Sequence, residues 1–392
     1  MINLYRIAFA VLVTIAGMGP VTAKPVSPLD VFYTVRAEDL AGAPGTLIRL
    51  APIDILSVYR AKAYRILYVS RNLKGEKIGV SGMMVVSTLP GRGATRPVVA
   101  WAHATTGIAH KCAPSRRSDP LAIPGIKDMI AGGYTVVATD YPGLGTPGPV
   151  PYLIGLGEAQ SVLDSVKAIR SLPEAQAGDA FVLWGHSQGG HAVLFAASLA
   201  KTYAADLKLL GVAAAAPATN LAALLHADVN TIPGRILAAM TLLSWSRNFG
   251  FPLDGLLTED TVEVMEHIDK TCIDSLSGKL DALSAEQDLG AKYLNYDPGS
   301  RQPWRGLLAD NNPFYGLITV PAFIAQGADD TLVRPEVTTG FVDSLCRSDK
   351  SVRYVTMPRV DHGAIADKSA AQAVAWMDER FRGVRAVNSC PR

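Results

Sequence analysis

Apolar and polar positions along the chain divide it into strands that alternate with helices. Two early apolar segments, 64–70 and 77–88, predict a meander of neighbouring strands. Segments 97–103, 134–140, 180–185 and 207–216 are apolar throughout rather than alternating, which indicates strands that are buried on both faces. Two further strands are predicted at 320–326 and 352–357, and helices at 119–131, 157–172, 188–203, 335–346 and 364–382.

This alternation predicts an α/β fold with a mostly parallel sheet flanked by helices. It breaks between about 217 and 310, where helical patterns occur without a convincing strand. We therefore interpret 217–310 as a helical cap inserted into a core formed by 61–216 and 311–392. Residues 24–60 are interpreted as an N-terminal extension, rich in Pro and Gly, that wraps on this core.

Composition and charge narrow the class of protein. Hydrophobic residues make up 49% of the 392-residue chain and charged residues 18%, which is enough apolar material for a large core. With 37 Lys and Arg against 35 Asp and Glu, the chain lacks the basic excess that is typical of nucleic-acid binding. No basic run would hold it on an anionic membrane. We therefore expect no nucleic acid partner, and the sequence implies no protein partner.

The first residues have the pattern of an export signal at 1–23. Arg6 is the only charge before Lys24, the stretch 7–18 is apolar, and small residues precede a cleavage site after Ala23. The apolar stretch is shorter than the roughly 20 residues needed to span a bilayer. Cleavage near Ala23 would leave a secreted or periplasmic protein, and removal of Arg6 would lower the net charge from +2 to +1.

Four cysteines would remain after this cleavage: Cys112, Cys272, Cys346 and Cys390. An even number of cysteines in an exported protein suggests two disulfides. The spacing fits no zinc-binding pattern. Four cysteines allow three pairings, and the spacing does not choose among them.

The segment Gly185-His186-Ser187-Gln188-Gly189 lies between a predicted strand and a predicted helix. In that position the pattern G-x-S-x-G is typical of the nucleophile turn of α/β-hydrolases. The turn is so sharp that the positions two before and two after the serine leave no room for side chains, which explains both glycines. A glycine-rich turn with an incidental serine would have the same letters, but the flanking elements favour Ser187 as a nucleophile.

A serine hydroxyl needs a base, and the base needs an acid that orients it. In α/β-hydrolases both follow the serine, in the order Ser, acid, His. His191 lies one turn into the helix after the serine and is interpreted as packing. His226 and His267 fall in the cap. His362 lies between the last strand and the last helix, at the active edge of the sheet, and is the predicted base.

The acid is expected just after the strand 320–326. Asp329 and Asp330 compete for this role, and the loop pattern Gly-x-x-Asp-x-x-Val, usual in α/β-hydrolases, favours Asp330. Asp329 would then be a solvated turn residue. Asp361 is directly beside His362 in sequence and badly placed to reach its imidazole, so it is interpreted as an acid that fixes the loop.

An oxyanion hole needs two backbone donors. The N–H of Gln188, the residue after the nucleophile, would be the first. The second is expected from the loop 103–107 (HATTG), where Thr105 holds the donor position. This loop is similar to the H-G-x-x-G loop of lipases, with Ala104 in place of glycine. His103 is interpreted as a residue that shapes the loop.

Several segments resemble the secretory lipase family, which includes the yeast lipase A type. They are WAHATTG at 101–107, CAPS at 112–115 and DYPGLG at 140–145, while GHSQGG at 185–190 and QGADDTLV at 326–333 fit bacterial members. The resemblance covers most of the mature chain. It implies ester hydrolysis, often of acylglycerols, with the cap as a lid over an acyl pocket. It also implies a disulfide between Cys112 and Cys272, which leaves Cys346 for Cys390.

The sequence therefore predicts a secreted serine carboxylic ester hydrolase, a lipase that cleaves acylglycerol or related lipid esters through an acyl-enzyme on Ser187. No metal or organic cofactor is implied, and any contact with lipid interfaces would be transient. One alternative is an esterase for small or aromatic esters, or a deacetylase, on the same residues. Another is a non-catalytic binding protein of the same fold, although such proteins usually lose a triad member and all three are present here.

The cap contains an apolar run at 236–245, followed by Phe249 and Phe251. A helix that packs on the core would give this pattern. A lid that contacts lipid and turns its apolar face to the active site would give it as well. Activity that rises once the substrate exceeds its solubility would distinguish the lid.

Overall fold

A computed structural model of the chain describes residues 27–91, 93–117, 119–228, 231–258, 261–273 and 293–391. The predicted export signal at 1–23 lies outside these described residues. Within them, the chain forms a single mixed sheet with helices packed on both faces.

The sheet confirms the predicted α/β architecture. Its strands in the described residues are Leu47–Ile53 (β1), Ala61–Arg71 (β2), Lys77–Ser87 (β3), Arg96–Ala102 (β4), Thr135–Thr139 (β5), Ala177–His186 (β6), Lys208–Ala215 (β7), Ala322–Gly327 (β8) and Val352–Met357 (β9). They lie in the order β1-β2-β3-β5-β4-β6-β7-β8-β9. Pairs from β1 to β5 are antiparallel, and those from β5 through β4 to β9 are parallel.

The central strand β4 shows why a strand in the middle of this sheet is apolar on both faces. Val99 and Trp101 pack into the core on one face of the sheet, whereas Val98 and Ala100 pack into the core on the other. All four side chains are buried. Because helices cover both faces, neither set of alternating side chains meets water.

The helices lie on both faces of the sheet. Those described are Pro28–Tyr33 (α1), Pro114–Arg117 (α2), Ile126–Ala131 (α3), Gly155–Arg170 (α4), Gln188–Tyr203 (α5), Leu221–Asp228 (α6), Ile232–Phe249 (α7), Val262–Lys270 (α8), Trp304–Asp310 (α9), Pro335–Arg347 (α10) and Ile365–Phe381 (α11). Side chains of α4 and α5 belong to one core, and those of α3 and α11 belong to the other. The predicted helices that became α4, α5, α10 and α11 match within two residues at each end.

The predicted helix 119–131 is wrong in its first half. A 3₁₀ turn at Pro120–Ala122 is followed by an interruption, and the α-helix begins only at Ile126. Pro124 has no N–H to donate, and Gly125 has a φ of 79°, a left-handed conformation that interrupts helical geometry. The apolar spacing extended across this break because the turn also buries side chains.

The N-terminal extension contains two elements that the apolar pattern did not predict. β1 forms one edge of the sheet and pairs with β2, and α1 packs Phe32 and Tyr33 against Leu67. Most side chains of β1 are only half-buried, and the strand includes Pro52. It therefore lacks the alternation that identifies a strand, and its edge position tolerates the proline.

The predicted cap contains α6, α7, α8 and α9. Residues Ala239, Met240 and Trp245 of α7 pack into the same core as α4 and α5. The Trp245 indole N–H donates to the carbonyl of Tyr152 at 3.0 Å, which joins α7 to the loop before α4. Among the described residues, none of the helices has the length and apolarity needed to cross a bilayer. The division of the chain into core and cap at 217 and 310 stays a prediction.

Two disulfides connect distant segments. Cys112, just after the loop that follows β4, is bonded to Cys272, just after α8 in the cap. Cys346, in α10, is bonded to Cys390 near the C-terminus. This is the pairing that the family resemblance implies. The first bond ties the cap to the loop predicted to form the oxyanion hole.

Candidate active site

The turn at Ser187 has the geometry that its glycines predict. β6 ends at His186, α5 begins at Gln188, and Ser187 between them has φ of 56° and ψ of −116°. A Cβ on Gly185 would lie 2.1 Å from the carbonyl oxygen of Gly189. A Cβ on Gly189 would lie 1.9 Å from a backbone oxygen of β4. Glycine is therefore required at both positions, and the strained serine is held at the sheet edge.

Ser187, His362 and Asp330 form a continuous hydrogen-bonded chain. His362 Nε2 lies 2.8 Å from Ser187 Oγ, and His362 Nδ1 lies 2.8 Å from Asp330 Oδ2. His362 comes from the loop after β9, and Asp330 from the loop after β8. Parallel strands bring their carboxyl ends to one edge of a sheet, so three residues separated by up to 175 positions meet there.

Asp330 is held rigidly and is almost fully buried. Its Oδ1 accepts hydrogen bonds from the N–H groups of Leu332 and Val333, at 2.9 and 2.8 Å. Its Oδ2, which faces the imidazole, also accepts from Gln326 Nε2 at 3.1 Å. The hydroxyl of Thr338 donates to Gln326 Oε1 at 2.6 Å and fixes that amide. Each carboxyl oxygen therefore has a defined partner set.

The two competing acids lie elsewhere. Asp329 is exposed, and the structure describes no contact between its carboxyl group and His362. Asp361 is also exposed, and its Oδ1 accepts from the N–H of Ala364 at 2.9 Å, at the start of α11. Asp361 therefore fixes the loop of the histidine, as its position in the sequence suggested.

His186 lies beside the histidine of the chain, and the sequence did not single it out. Its Nε2–H donates to the backbone oxygen of His362 at 2.9 Å, and the two imidazole rings are 5.0 Å apart. Burial, and secondly the charge of His362, lowers the pKa of His186 to about 3. The residue is therefore a neutral support for the His362 backbone. The sequence signal that could have identified His186 is its position directly before the nucleophile.

The lowered pKa of His186 predicts a loss of stability in acid. An unfolded His titrates near 6.5, so below that pH the unfolded chain binds a proton that folded His186 refuses. His186 leaves the free energy of unfolding unchanged above pH 6.5. As the pH drops towards 3, it lowers that free energy by about 2–5 kcal/mol. Urea unfolding at pH 7 and pH 4 should show a smaller loss in His186→Asn than in the parent.

The matched control is His226→Asn, since the side chain of His226 in the cap is 80% exposed. That variant should keep the pH dependence of the parent protein. An equal loss of stability in acid for the parent and His186→Asn would contradict the prediction.

The residues predicted for the oxyanion hole border Ser187. Gln188 is the first residue of α5, where backbone N–H groups have no acceptor within the helix. Thr105 and Ser187 line the same cleft. The Thr105 hydroxyl lies 3.1 Å from the phenol oxygen of Tyr152. The structure therefore brings both predicted donors to the nucleophile. His103 instead contacts backbone: its Nδ1 lies 2.6 Å from the oxygen of Ala104.

The segments CAPS and DYPGLG contact each other through a buried carboxyl group. Asp140 accepts from the Ser115 N–H at 3.0 Å, from the Ser115 hydroxyl, and from the Ser81 hydroxyl at 2.7 Å. Burial raises the pKa of Asp140. Tyr33 extends the network, with its phenol oxygen 2.7 Å from the Ser115 hydroxyl. The two motifs therefore fix the backbone of the segment that carries Cys112.

Two cavities meet at Ser187. One is lined almost entirely by apolar side chains of the cap and the core. Its walls include Leu224, Leu237, Trp245 and Leu308. The other is a cleft with more polar walls. Leu237 of α7 and Ser187 line both.

The three other histidines that follow Ser187, which were not chosen as the base, do not join the site. His226 and His267 lie exposed on the cap. His191 is fully buried behind Ser187, where its Nδ1 lies 2.8 Å from Oε2 of Glu158. It is therefore more than packing, because it belongs to a buried polar network.

A nucleophile turn on a mostly parallel sheet, followed by an acid and a histidine at the same edge, defines an α/β-hydrolase. The chain belongs to the secretory lipase family, whose model matches residues 122–389. A secreted triacylglycerol lipase of Malassezia globosa is 25% identical over 374 residues, which cover 88% of this chain and 79% of that protein. A Mycobacterium tuberculosis protein described as a probable inactive lipase is 23% identical over 392 residues, which cover 92% of this chain and 84% of that protein.

Solved structures show the same fold. Lipase A of Candida antarctica superposes with a TM-score of 0.77 at 18% identity, over 93% of this chain and 89% of that one. The rice cell wall degrading esterase LipA of Xanthomonas oryzae superposes with a TM-score of 0.71 at 18% identity, over 88% of this chain and 100% of that one. The family makes this protein a member of the lipase and esterase class of carboxylic ester hydrolases. Its two disulfides agree with secretion.

Proposed function

We propose that this protein is a serine hydrolase that cleaves lipid esters through an acyl-enzyme on Ser187. The observation that carries the proposal is the pair of 2.8 Å contacts that connect the Ser187 hydroxyl to His362 and His362 to Asp330. A serine without a neighbouring base would keep its weak nucleophilicity. Ser187 instead lies next to a base whose other nitrogen faces a buried carboxyl group.

The reaction proceeds in two acyl transfers. Ser187 Oγ attacks the ester carbonyl carbon while its proton passes to His362 Nε2, and the tetrahedral intermediate then expels the alcohol, which takes that proton. Water attacks the acyl-enzyme in the same way and releases the acid, which restores Ser187. Asp330 accepts from Nδ1–H of His362 and stabilises the imidazolium that exists between the transfers.

The negative oxygen of each intermediate is assigned to the N–H groups of Thr105 and Gln188. Gln188 begins α5, so its N–H lies at the positive end of the helix dipole. Thr105 borders Ser187 from the loop after β4. Backbone donors that are already fixed stabilise the charge of the transition state most strongly, because they need no reorganisation when that charge develops.

Covalent labelling tests the nucleophile. A fluorophosphonate should attach one equivalent to the purified protein, on the peptide that contains Ser187, and His362→Ala should abolish the labelling. A parent protein that stays unlabelled, or is labelled on another serine, would contradict the proposal. Family membership alone does not establish activity, because one relative is described as a probable inactive lipase.

The apolar cavity favours a lipase among the possible ester hydrolases. It begins at Ser187 and Gln188 and continues between helices of the cap, where Leu224, Leu242 and Leu308 line it. Burying methylene groups there is worth about 0.8 kcal/mol each, so longer acyl chains gain binding energy. An acetyl group would contact few of these apolar side chains. We therefore assign the cavity to the acyl chain of a lipid ester.

A bulky residue inside this cavity should shorten the accepted acyl chain. In Ala238→Phe, the ratio of kcat/KM for p-nitrophenyl palmitate to that for the butyrate should fall about tenfold or more, because several methylenes lose their contacts. Ala238 lines the cavity from α7. Ala222→Phe on the exposed face of α6 is the control and should leave the ratio unchanged. An unchanged ratio in Ala238→Phe would contradict the assignment.

We also propose the cap as a lid. Leu237 of α7 lies in both cavities beside Ser187, so movement of α7 would widen access to the nucleophile. Activity on a triglyceride should then rise sharply once the substrate forms an emulsion. A rate that follows the total substrate concentration through that point would contradict a lid.

Export is proposed through cleavage after Ala23. The family and the two disulfides agree with an oxidising compartment outside the cytoplasm. Intact mass of the exported protein should correspond to residues 24–392. A mass that includes residues 1–23 would contradict the cleavage.

A further inference from the structure

Glu158 of α4 places a fully buried carboxyl group directly behind the nucleophile turn. Its Oε1 accepts from Gln188 Nε2 at 2.8 Å and from the N–H of Leu153 at 3.0 Å. Its Oε2 lies 2.8 Å from His191 Nδ1. One carboxyl group therefore binds positions one and four of α5, the helix whose first N–H is assigned to the oxyanion.

His191 extends this network to the end of the cap. Its second nitrogen, Nε2, donates to the carbonyl oxygen of Asn311 at 2.8 Å. The Asn311 side chain accepts from the N–H of Gly155, at the start of α4, at 3.0 Å. His191 and Glu158 are both 0% exposed. The residue that follows α9 is thereby joined to the nucleophile helix without any solvent contact.

The first turn of α5 has few other side chains by which it can be held. Gly189 and Gly190 follow Gln188, and both must be glycine because a Cβ would lie 1.9 Å from a β4 oxygen and 2.8 Å from Pro217, respectively. Gln188 and His191 are therefore the side chains that anchor this turn. A buried carboxyl group is costly unless its oxygens are hydrogen-bonded, and here three donor positions surround it.

Backbone strain at Leu153 is maintained by the same carboxyl group. Leu153 has a φ of 52°, in the left-handed region that disfavours residues other than glycine. Its N–H is held by Glu158, and Leu153 lines the apolar cavity together with Gln188. Strain of this kind persists only where surrounding contacts enforce it.

We propose that Glu158 and His191 are positioning residues that fix the oxyanion donor of Gln188. They touch no substrate. They act by locking the first turn of α5, so that the Gln188 N–H points at the carbonyl oxygen before substrate binds. Loss of the lock should weaken transition-state binding rather than substrate binding, and so lower kcat while KM changes little. The inference rests on the proposed acyl-enzyme on Ser187.

The test compares two buried carboxyl groups on the same helix. Asp164 of α4 is also fully buried, but it contacts the far end of α5, where the Tyr203 hydroxyl donates to it at 2.9 Å. Glu158→Leu and Asp164→Leu therefore remove equivalent groups from opposite ends of the nucleophile helix. kcat is measured per active site, counted by fluorophosphonate labelling, so that partial unfolding does not enter the rate.

Glu158→Leu should lower kcat per labelled site by about 10–100-fold with KM within about threefold, a part of the 10²–10³-fold loss that follows removal of an oxyanion donor. Glu158→Gln should retain kcat within about fivefold, because its amide oxygen can accept from Gln188 and its NH₂ can donate to His191. Asp164→Leu and Asp164→Asn should lower the melting temperature but keep kcat per site. Equal losses of kcat in Glu158→Leu and Asp164→Leu would overturn the proposal.

If Glu158→Leu does not fold, Gln188→Ala provides the test. It removes one hydrogen bond to Glu158 and keeps the backbone N–H, so kcat per site should fall about 5–10-fold, a partial loss of one donor. An unchanged kcat would overturn the proposal. A parent protein that fluorophosphonate does not label at Ser187 would instead overturn the acyl-enzyme itself, so the two failures are distinguishable.

Discussion

Replacing Ser187 with alanine is expected to lower kcat for ester hydrolysis by about 10⁵–10⁶-fold. The hydroxyl is the atom proposed to form the acyl-enzyme, and its 2.8 Å contact with His362 has no substitute in an alanine side chain. The oxyanion donors and the apolar cavity remain, so KM should change little. They should also leave a residual rate about 10³-fold above that in water. Initial rates with a p-nitrophenyl ester over a range of concentrations give both constants.

Ser198→Ala is the matched control for this variant. Ser198 lies on the same helix, and its hydroxyl donates to the carbonyl of Leu194 at 3.0 Å, a contact that makes no use of the active site. Both variants should keep the melting temperature of the parent within a few degrees. A Ser187→Ala protein with the full esterase rate of the parent would show that another residue is the nucleophile.

The central part of the fold could be predicted from the sequence because its signals are local. α5 spans Gln188–Tyr203, as its apolar spacing predicted, since the helix begins at the sharp turn and packs one face on the sheet. The strands β4, β5 and β8 are buried along nearly their whole length because both of their faces are covered, whereas β9 at the sheet edge is mostly half-buried and includes Arg353. Motif order selected His362 and Asp330, and the parallel strands bring both to the sheet edge where Ser187 lies. Their roles as base and acid stay predictions.

Other parts of the fold could not be read from local patterns. β1 is a strand only because β2 offers it hydrogen-bonding partners, and its half-buried side chains carry no alternation. The first half of the predicted helix 119–131 had apolar spacing, but Pro124 and Gly125 decided its backbone. Tertiary pairing and local breakers outweighed the apolar pattern in these two places.

The supporting residues of the site were hidden for a related reason. Glu158 and His191 are 33 positions apart, and no spacing rule connects a carboxyl group on one helix to an imidazole on the next. His186 sits inside the nucleophile motif at a position where any residue is allowed. Its role follows only from the fold, which brings the backbone of His362 within 2.9 Å of its ring.

Replacing Asp330 with asparagine is expected to lower kcat by about 10³–10⁴-fold without loss of the fold. Asp330 Oδ1 accepts two backbone N–H groups, from Leu332 and Val333, so the single oxygen of an asparagine would take that place. Its NH₂ would then face His362 Nδ1 and donate to it. The imidazole proton would move to Nε2, which could no longer accept the proton of Ser187, and the imidazolium would lose its counter-charge.

The neighbouring acids are the controls that make this result specific. Asp329→Asn changes an exposed side chain, and Asp361→Asn keeps an oxygen that can accept from the N–H of Ala364. Both variants should retain kcat within about threefold, as is usual for exposed substitutions away from the reacting groups. A large loss of kcat in Asp329→Asn, together with an active Asp330→Asn, would show that Asp329 is the acid. The three carboxyl groups lie at one edge of the sheet, and the described contact with the His362 imidazole is made by Asp330, so we expect the contrast to follow that contact.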